Sequence, residues 1–157
     1  MKKLLYVFAI LFSTACLTAC FEDNEDKFLY RTLTVEFQDA VITNPAAGFD
    51  YPLVATLRNN AGIRTFQVNL FGGLSSQDQI IPVRFISNES TAVEGTHFSF
   101  TNTAEVIIPA GEAIAFFSIT VPELTNSSAV RAVFELQPNA SVKVNENYRK
   151  IAIDFRR

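Results

Sequence analysis

Few side chains in this 157-residue chain are suited to covalent chemistry: two cysteines, Cys16 and Cys20, and a single histidine, His97. A histidine acts as a general base only with an orienting partner and a nucleophile in reach. No Gly-x-Ser-x-Gly elbow and no His-Glu-x-x-His pair accompanies His97. It sits where a polar stretch runs into Phe98, which marks it as a loop or strand-edge residue. One histidine, with both thiols confined to the first 20 residues, supplies too few ligands for a zinc site. Gly72-Gly73 is an isolated pair between strand-like runs and not a phosphate loop opening a helix. Sixteen carboxylates always permit pairs, yet their spacing singles out no two for acid–base work. Glu89 and Glu94 share one loop, but two carboxylates are a poor cage for calcium, which takes six to eight oxygens. The sequence therefore reads as non-enzymatic, with no cofactor and no metal site.

The two thiols belong to a leader with the order of an export signal. Lys2 and Lys3 are its positive start, residues 4–12 are an unbroken apolar run, and small residues follow up to Leu17-Thr18-Ala19-Cys20. The apolar run falls well short of the roughly 20 residues a membrane-spanning helix needs, so it reads as a cleaved signal helix. That tetrapeptide resembles the lipobox of bacterial lipoproteins: aliphatic, small, small, cysteine. The resemblance implies cleavage before Cys20, lipid on its thiol, and attachment to a membrane through that lipid. Ser13-Thr14-Ala15-Cys16 is a degraded version, with Ser in the aliphatic place. A Cys16–Cys20 disulfide is the rival reading. With Cys20 lipidated, Cys16 leaves with the leader and the mature chain holds no disulfide, so the domain must rely on its core.

Next comes Phe21-Glu22-Asp23-Asn24-Glu25-Asp26, with four of the sixteen carboxylates. Such a run repels itself and buries little, so it reads as an extended spacer. Residues 21–30 would reach about 30 Å when fully extended. Acidic residues directly after the lipidated cysteine resemble the surface-export signal of lipoproteins from the Bacteroidota. This implies an outer-membrane, lipid-anchored protein exposed at the cell surface, with a periplasm-facing position as the alternative. The expected organisation is a signal peptide at 1–19, a lipid-anchored acidic tether at 20–27 and one folded domain at 28–157. Without Lys2 and Lys3, eleven basic residues face sixteen acidic ones, a balance of −5 that opposes nucleic-acid binding.

The elements that must carry any site are strands. Leu33, Val35 and Phe37 alternate with Thr32, Thr34 and Glu36, the period of a half-buried strand. The same alternation recurs at Leu53, Ala55 and Leu57; at Phe66, Val68 and Leu70; and at Ile81, Val83 and Phe85. It returns at Phe98 and Phe100, over 105–108, at Phe117, Ile119 and Val121, at Val130, Ala132, Phe134 and Leu136, and at Ile151, Ile153 and Phe155. Turns are expected at Asn59-Asn60-Ala61-Gly62, Gly72-Gly73 and Pro109-Ala110-Gly111, the last with proline second and glycine fourth in a type I turn. Ile114 and Phe116 break the parity of their strand and predict a bulge near Phe116 and Phe117. Pro82 cannot donate a ladder hydrogen bond and predicts an edge or bulged strand. No stretch of ten residues after the leader has helical periodicity. The expected fold is all-β, an immunoglobulin-like antiparallel β-sandwich of seven or more strands.

Three stretches, Ser90-Thr91-Ala92-Val93-Glu94-Gly95-Thr96-His97-Phe98, Ile107-Ile108-Pro109-Ala110-Gly111-Glu112 and Phe117-Ser118-Ile119-Thr120-Val121, together resemble the Calx-beta pattern. They are similar also to Calx-beta-like domains of Bacteroidota surface lipoproteins. The resemblance implies an immunoglobulin-like sandwich. It departs from the calcium-binding members after Val121, where Pro122-Glu123-Leu124-Thr125-Asn126-Ser127-Ser128 has one carboxylate in place of their acidic stretches. Two roles fit: an interaction or structural module that contacts another envelope protein, or a glycan-binding accessory of a polysaccharide-uptake system. The second needs exposed rings. The chain has no Trp, its fifteen Phe fall mostly in strand patterns, and Tyr51 and Tyr148 are the candidate ligand-binding rings.

Overall fold

The computed structural model describes residues 29–58, 62–125 and 127–157. The leader, Cys16, Cys20, the acidic tether and most of the Asn59-Asn60-Ala61-Gly62 turn lie outside the described residues. Arg31–Arg157 forms one compact unit.

The alternating segments become strands because each has one apolar row to bury. In chain order they are β1 (Thr34–Phe37), β2 (Leu53–Arg58), β3 (Gly62–Phe71), β4 (Gln79–Phe85), β5 (Ser99–Phe100), β6 (Glu105–Ile108), β7 (Ile114–Val121), β8 (Val130–Leu136), β9 (Lys143–Val144) and β10 (Lys150–Arg156). A five-residue helix, α1 (Gln38–Ile42), follows β1, and a 3-10 turn, Ser87–Glu89, follows β4. The strands form two five-stranded sheets, ordered β5-β7-β3-β1-β9 and β2-β10-β8-β4-β6. We call them the first and second sheet. Their inner rows are fully buried at Val35, Phe37, Val68, Ile119, Ile81, Ala132, Phe134, Ile151, Ile153 and Phe155. This is the all-β, immunoglobulin-like sandwich expected from the alternation.

Three local expectations are corrected. There is no bulge at Phe116 and Phe117. β7 pairs with β3 in unbroken antiparallel register from Ile114 opposite Asn69 to Val121 opposite Gly62. Ile114 and Phe116 keep the outward parity and lie exposed, at 49% and 60%. The irregularity falls instead in β10, between Ala152 and Ile153, where it pairs with β2. β4 is an inner strand rather than an edge. It pairs with β6 from Gln79 to Pro82 and with β8 from Val83 to Phe85, so Pro82 stands where the ladder changes partner. Its carbonyl still accepts from the Gln137 NH at 2.8 Å, which leaves only the missing donor unused. The turn after β6 closes with the Glu112 NH donating to the Pro109 carbonyl at 3.0 Å. Proline is therefore first, and Gly111, at φ +78°, is third, a position that favours glycine.

The sheets are not wholly antiparallel. β10 pairs parallel with β2, and β1 parallel with β9. Parallel neighbours require a crossover connection, and the chain supplies it by changing sheets. β1 lies in the first sheet, β2 in the second, β3 in the first and β4 in the second, and the remaining six strands alternate likewise. The turn at Pro109–Glu112 is thus an arch between sheets and not a hairpin.

Candidate functional site

The outer surfaces of the two sheets differ in chemistry. On the second sheet the outward face carries several charged pairs from β4, β8, β10 and their flanks, with Ile80 of β4 and Ile107 of β6 exposed opposite one another at its margin. Arg84 meets Glu135 at 2.6 Å, Arg149 reaches the same carboxylate at 3.3 Å, and Arg131 bonds Asp154 at 2.8 Å. Lys150 contacts Glu89 at 2.9 Å and Asp50 at 3.8 Å. Between these pairs lies a small second core of Tyr51, Ile86, Val133 and Ala152. The 3-10 turn covers it, tied down by the Ser90 hydroxyl, which accepts from the Val133 NH at 2.9 Å and donates to the Ile86 carbonyl at 2.7 Å.

The charge pattern sets local pKa values. Burial works to raise the Glu135 carboxyl, but hydrogen bonds from Arg84 and Gln137 and the charge of Arg149 outweigh it and hold it below the usual range. Burial likewise works to lower Lys150, and the Glu89 hydrogen bond with the Asp50 and Glu89 charges raises it instead. Because the folded-state carboxyl of Glu135 is depressed, its contribution is complete above an ordinary value of 4.5 and is lost as pH falls through the folded value. Glu135→Gln is expected to cost about 1–2 kcal/mol near neutral pH, the worth of charge-assisted hydrogen bonds. Urea unfolding near pH 7 and again near pH 3 checks this. The gap between wild type and variant should shrink in acid, and a gap that widens there contradicts the assignment.

Neither tyrosine proposed from sequence is an exposed platform. Tyr51 is only 2% accessible, with the Phe49 ring 5.1 Å away and the Lys150 ammonium 5.7 Å from its centroid. Tyr148 is half-buried against the main core and lines a cleft of about 470 Å³ with Asn44, Asp50 and Glu146. The ring that does reach solvent there is Phe49, 45% exposed, beside a shallow groove of about 600 Å³ that includes Glu89 and Thr91. Its place in Gly48-Phe49-Asp50-Tyr51 was the available signal: an aromatic outside any alternating run. His97 is a loop residue, and its Nδ1 accepts the Val93 NH at 3.0 Å.

The first sheet presents a different outer surface. Its two central strands carry Thr65, Gln67, Asn69, Ser118 and Thr120 outward, with Ile114, Phe116 and Ile63 among them. Gln67 Nε2 donates to Asn69 Oδ1 at 2.8 Å, and Asn69 Nδ2 donates to Gln38 Oε1. Gln67 lies directly opposite Phe116, and Asn69 opposite Ile114. Glu36, opposite Asn69 on β1, accepts from Asn145 Nδ2 at 2.7 Å. Sequence reasoning passed over this row, although Gln67 and Asn69 are the outward partners of Phe66, Val68 and Leu70.

The sequence matches no family model and no curated protein. Its architecture does have solved counterparts. The crystal structure of an apo-form Calx CBD1 domain superposes with a TM-score of 0.55 at 15% identity, covering 80% of this chain and 96% of that one. The sandwich has a Calx-beta-like fold. A structure of CBD12 from CALX1.2 superposes at TM-score 0.52 and 18% identity, covering 78% of this chain and 45% of that one.

The cavity after β7 is lined by Glu123, Leu124, Thr125 and Arg157, which sets a cation beside its one carboxylate. Glu89 is already engaged by Lys150. Among the described residues no group of three or more His, Cys, Asp or Glu is placed to hold a metal ion, and no helix is long and apolar enough to cross a membrane.

Proposed function

We propose that this protein is a cell-envelope lipoprotein. Lipid on Cys20 holds it to the outer membrane, and the acidic tether displays the Calx-beta-like sandwich at the cell surface as a non-enzymatic binding or structural module. The observation that carries the reading is Leu17-Thr18-Ala19-Cys20, placed directly after a charged start and a short apolar run and directly before four carboxylates. One feature of the domain supports it. Its core is continuous from Leu33 to Phe155, so the segment upstream is left for export and attachment.

The test is metabolic labelling with a radiolabelled or alkyne-bearing fatty acid, followed by protease shaving of intact cells. Label should enter the wild-type protein and be absent from Cys20→Ala, and shaving should remove the sandwich from unbroken cells. Label that persists in Cys20→Ala overturns the lipid site. A sandwich protected until the outer membrane is opened overturns the surface position and leaves the anchor standing.

A further inference from the structure

We infer that the outer surface of the first sheet, centred on Phe116 and the Gln67–Asn69–Gln38 amide row, is a binding site for a neutral polysaccharide. This reading is independent of the anchor. It starts from the partition of charge in the sandwich. The second sheet turns arginine, lysine and carboxylate pairs outward. The two central strands of the first sheet turn outward only hydroxyls, amides and apolar groups over Thr65–Phe71 and Ile114–Thr120. Glu36, directly across the ladder from Asn69, is already held by Asn145.

An uncharged polyol suits such a surface. Its hydroxyls need donors and acceptors, and its C–H faces need an apolar ring to rest on. Phe116 is 60% exposed, on the part of β7 that pairs with β3 and lies beyond the two-residue pairing with β5, where an outward side chain is ordinarily polar. Its aromatic face is available for stacking. Directly across the ladder stands Gln67, first in a row of three amides already bonded to one another. That row leaves the Gln67 Oε1 acceptor at one end and the Gln38 Nε2 donor at the other. Because each amide is held by its neighbour, little side-chain freedom is lost when a ligand docks. Phe116 and Gln67 face one another on adjacent strands about 4.8 Å apart, and the amide row continues along β3 to Asn69 and on to Gln38 in α1. A second copy of the protein, whose matching row carries the same hydroxyls and amides, is the alternative occupant and is distinguished by oligomeric state.

Native gel electrophoresis of the full chain in mild detergent tests the site, with β-1,3-glucan, β-1,4-glucan, xylan, mannan or α-1,6-glucan cast into the gel. Polygalacturonate and chitosan serve as charged comparators. At least one neutral polymer should retard the protein. Phe116→Ala should weaken that retardation at least about ten-fold, Gln67→Ala several-fold, and Phe116→Trp should preserve or strengthen it. Phe49→Ala, which removes the exposed ring of the loop before β2, should leave it unchanged. Thermal midpoints of the Phe116 and Gln67 variants, read alongside, should stay near wild type, since both side chains lie on the outer surface. Retardation by none of the five neutral polymers overturns the site. So does retardation indifferent to Phe116→Ala, or stronger retardation by the charged polymers. A dimer seen by light scattering that Phe116→Ala dissolves, without polymer binding, assigns the surface to self-association instead.

Discussion

Phe98→Ala is expected to be among the most destabilising single changes in the domain, costing about 3–5 kcal/mol, the range for removing a buried aromatic ring. Phe98 is 1% exposed and lies just ahead of the two-residue strand β5. Its ring is edge-on to Phe134 at 5.0 Å and to Phe85 at 5.1 Å, stacked on Phe155 at 5.9 Å, and edge-on to Phe100 at 6.0 Å. Three of those partners belong to the second sheet and Phe100 to the first, so the ring joins the two layers. The cavity left by alanine is walled by rings that are themselves fixed in ladders, which limits collapse and places the cost toward the upper end. Equilibrium urea unfolding should show a lower midpoint at an unchanged slope. A loss under about 1 kcal/mol would mean that the loop carrying Phe98 is not seated in the core.

Phe98 also illustrates what the sequence could convey. A period of two records burial directly: it places Val35, Phe37, Val68, Leu70, Ile81, Val83 and Ile151 on the inner rows, and all are buried. Pairing is not written in that period. β6 and β7 are adjacent in sequence yet lie in different sheets, because a four-residue turn can arch across a sandwich as readily as it closes a hairpin. The parallel β2–β10 pair joins the start of the domain to its end, and nothing local to Leu53–Arg58 marks it.

The misread parity at Ile114 and Phe116 has a specific cause. Apolar residues on both faces of a strand look like a register slip if every apolar group is assumed to be buried. The unbroken ladder with β3 removes that assumption, and the exposed pair becomes the feature that marks the outer surface of the first sheet. Tyr51 was a reasonable candidate ring by residue type. It is buried because Phe49 and the Lys150 stem close over it, a tertiary arrangement that composition does not encode. The amide row was legible in principle, since Gln67 and Asn69 hold the outward parity of β3, but uncharged polar residues on an outward row are also what an idle sheet surface carries. Only their mutual bonding and the ring opposite separate the two.

Gly72→Ala should be the most damaging of the small substitutions. Gly72 follows β3 at φ +88°, and a Cβ built on it would overlap the Thr32 carbonyl oxygen and lie 2.6 Å from the carbonyl carbon behind it. Both atoms are backbone, so no side-chain rotation relieves the contact. The segment that would have to move leads into β1, and its Leu33 carbonyl accepts the Lys143 NH at 2.9 Å, the bond that begins the β1–β9 pair. Left-handed backbone at a non-glycine residue costs about 1–2 kcal/mol, and forced displacement of packed structure adds about 1–3 kcal/mol. Gly95 and Gly111 separate the two effects. Their φ values, +81° and +78°, are close to that of Gly72, but a Cβ there meets nothing within 4 Å. Gly95→Ala and Gly111→Ala should therefore cost only the conformational part. Gly72→Ala should cost clearly more in the same urea titration and should expose the Lys143 amide to hydrogen exchange, whereas the other two variants leave that amide protected. Equal losses at all three glycines would mean that backbone conformation, and not the close approach of β1 to the end of β3, is why residue 72 must lack a side chain.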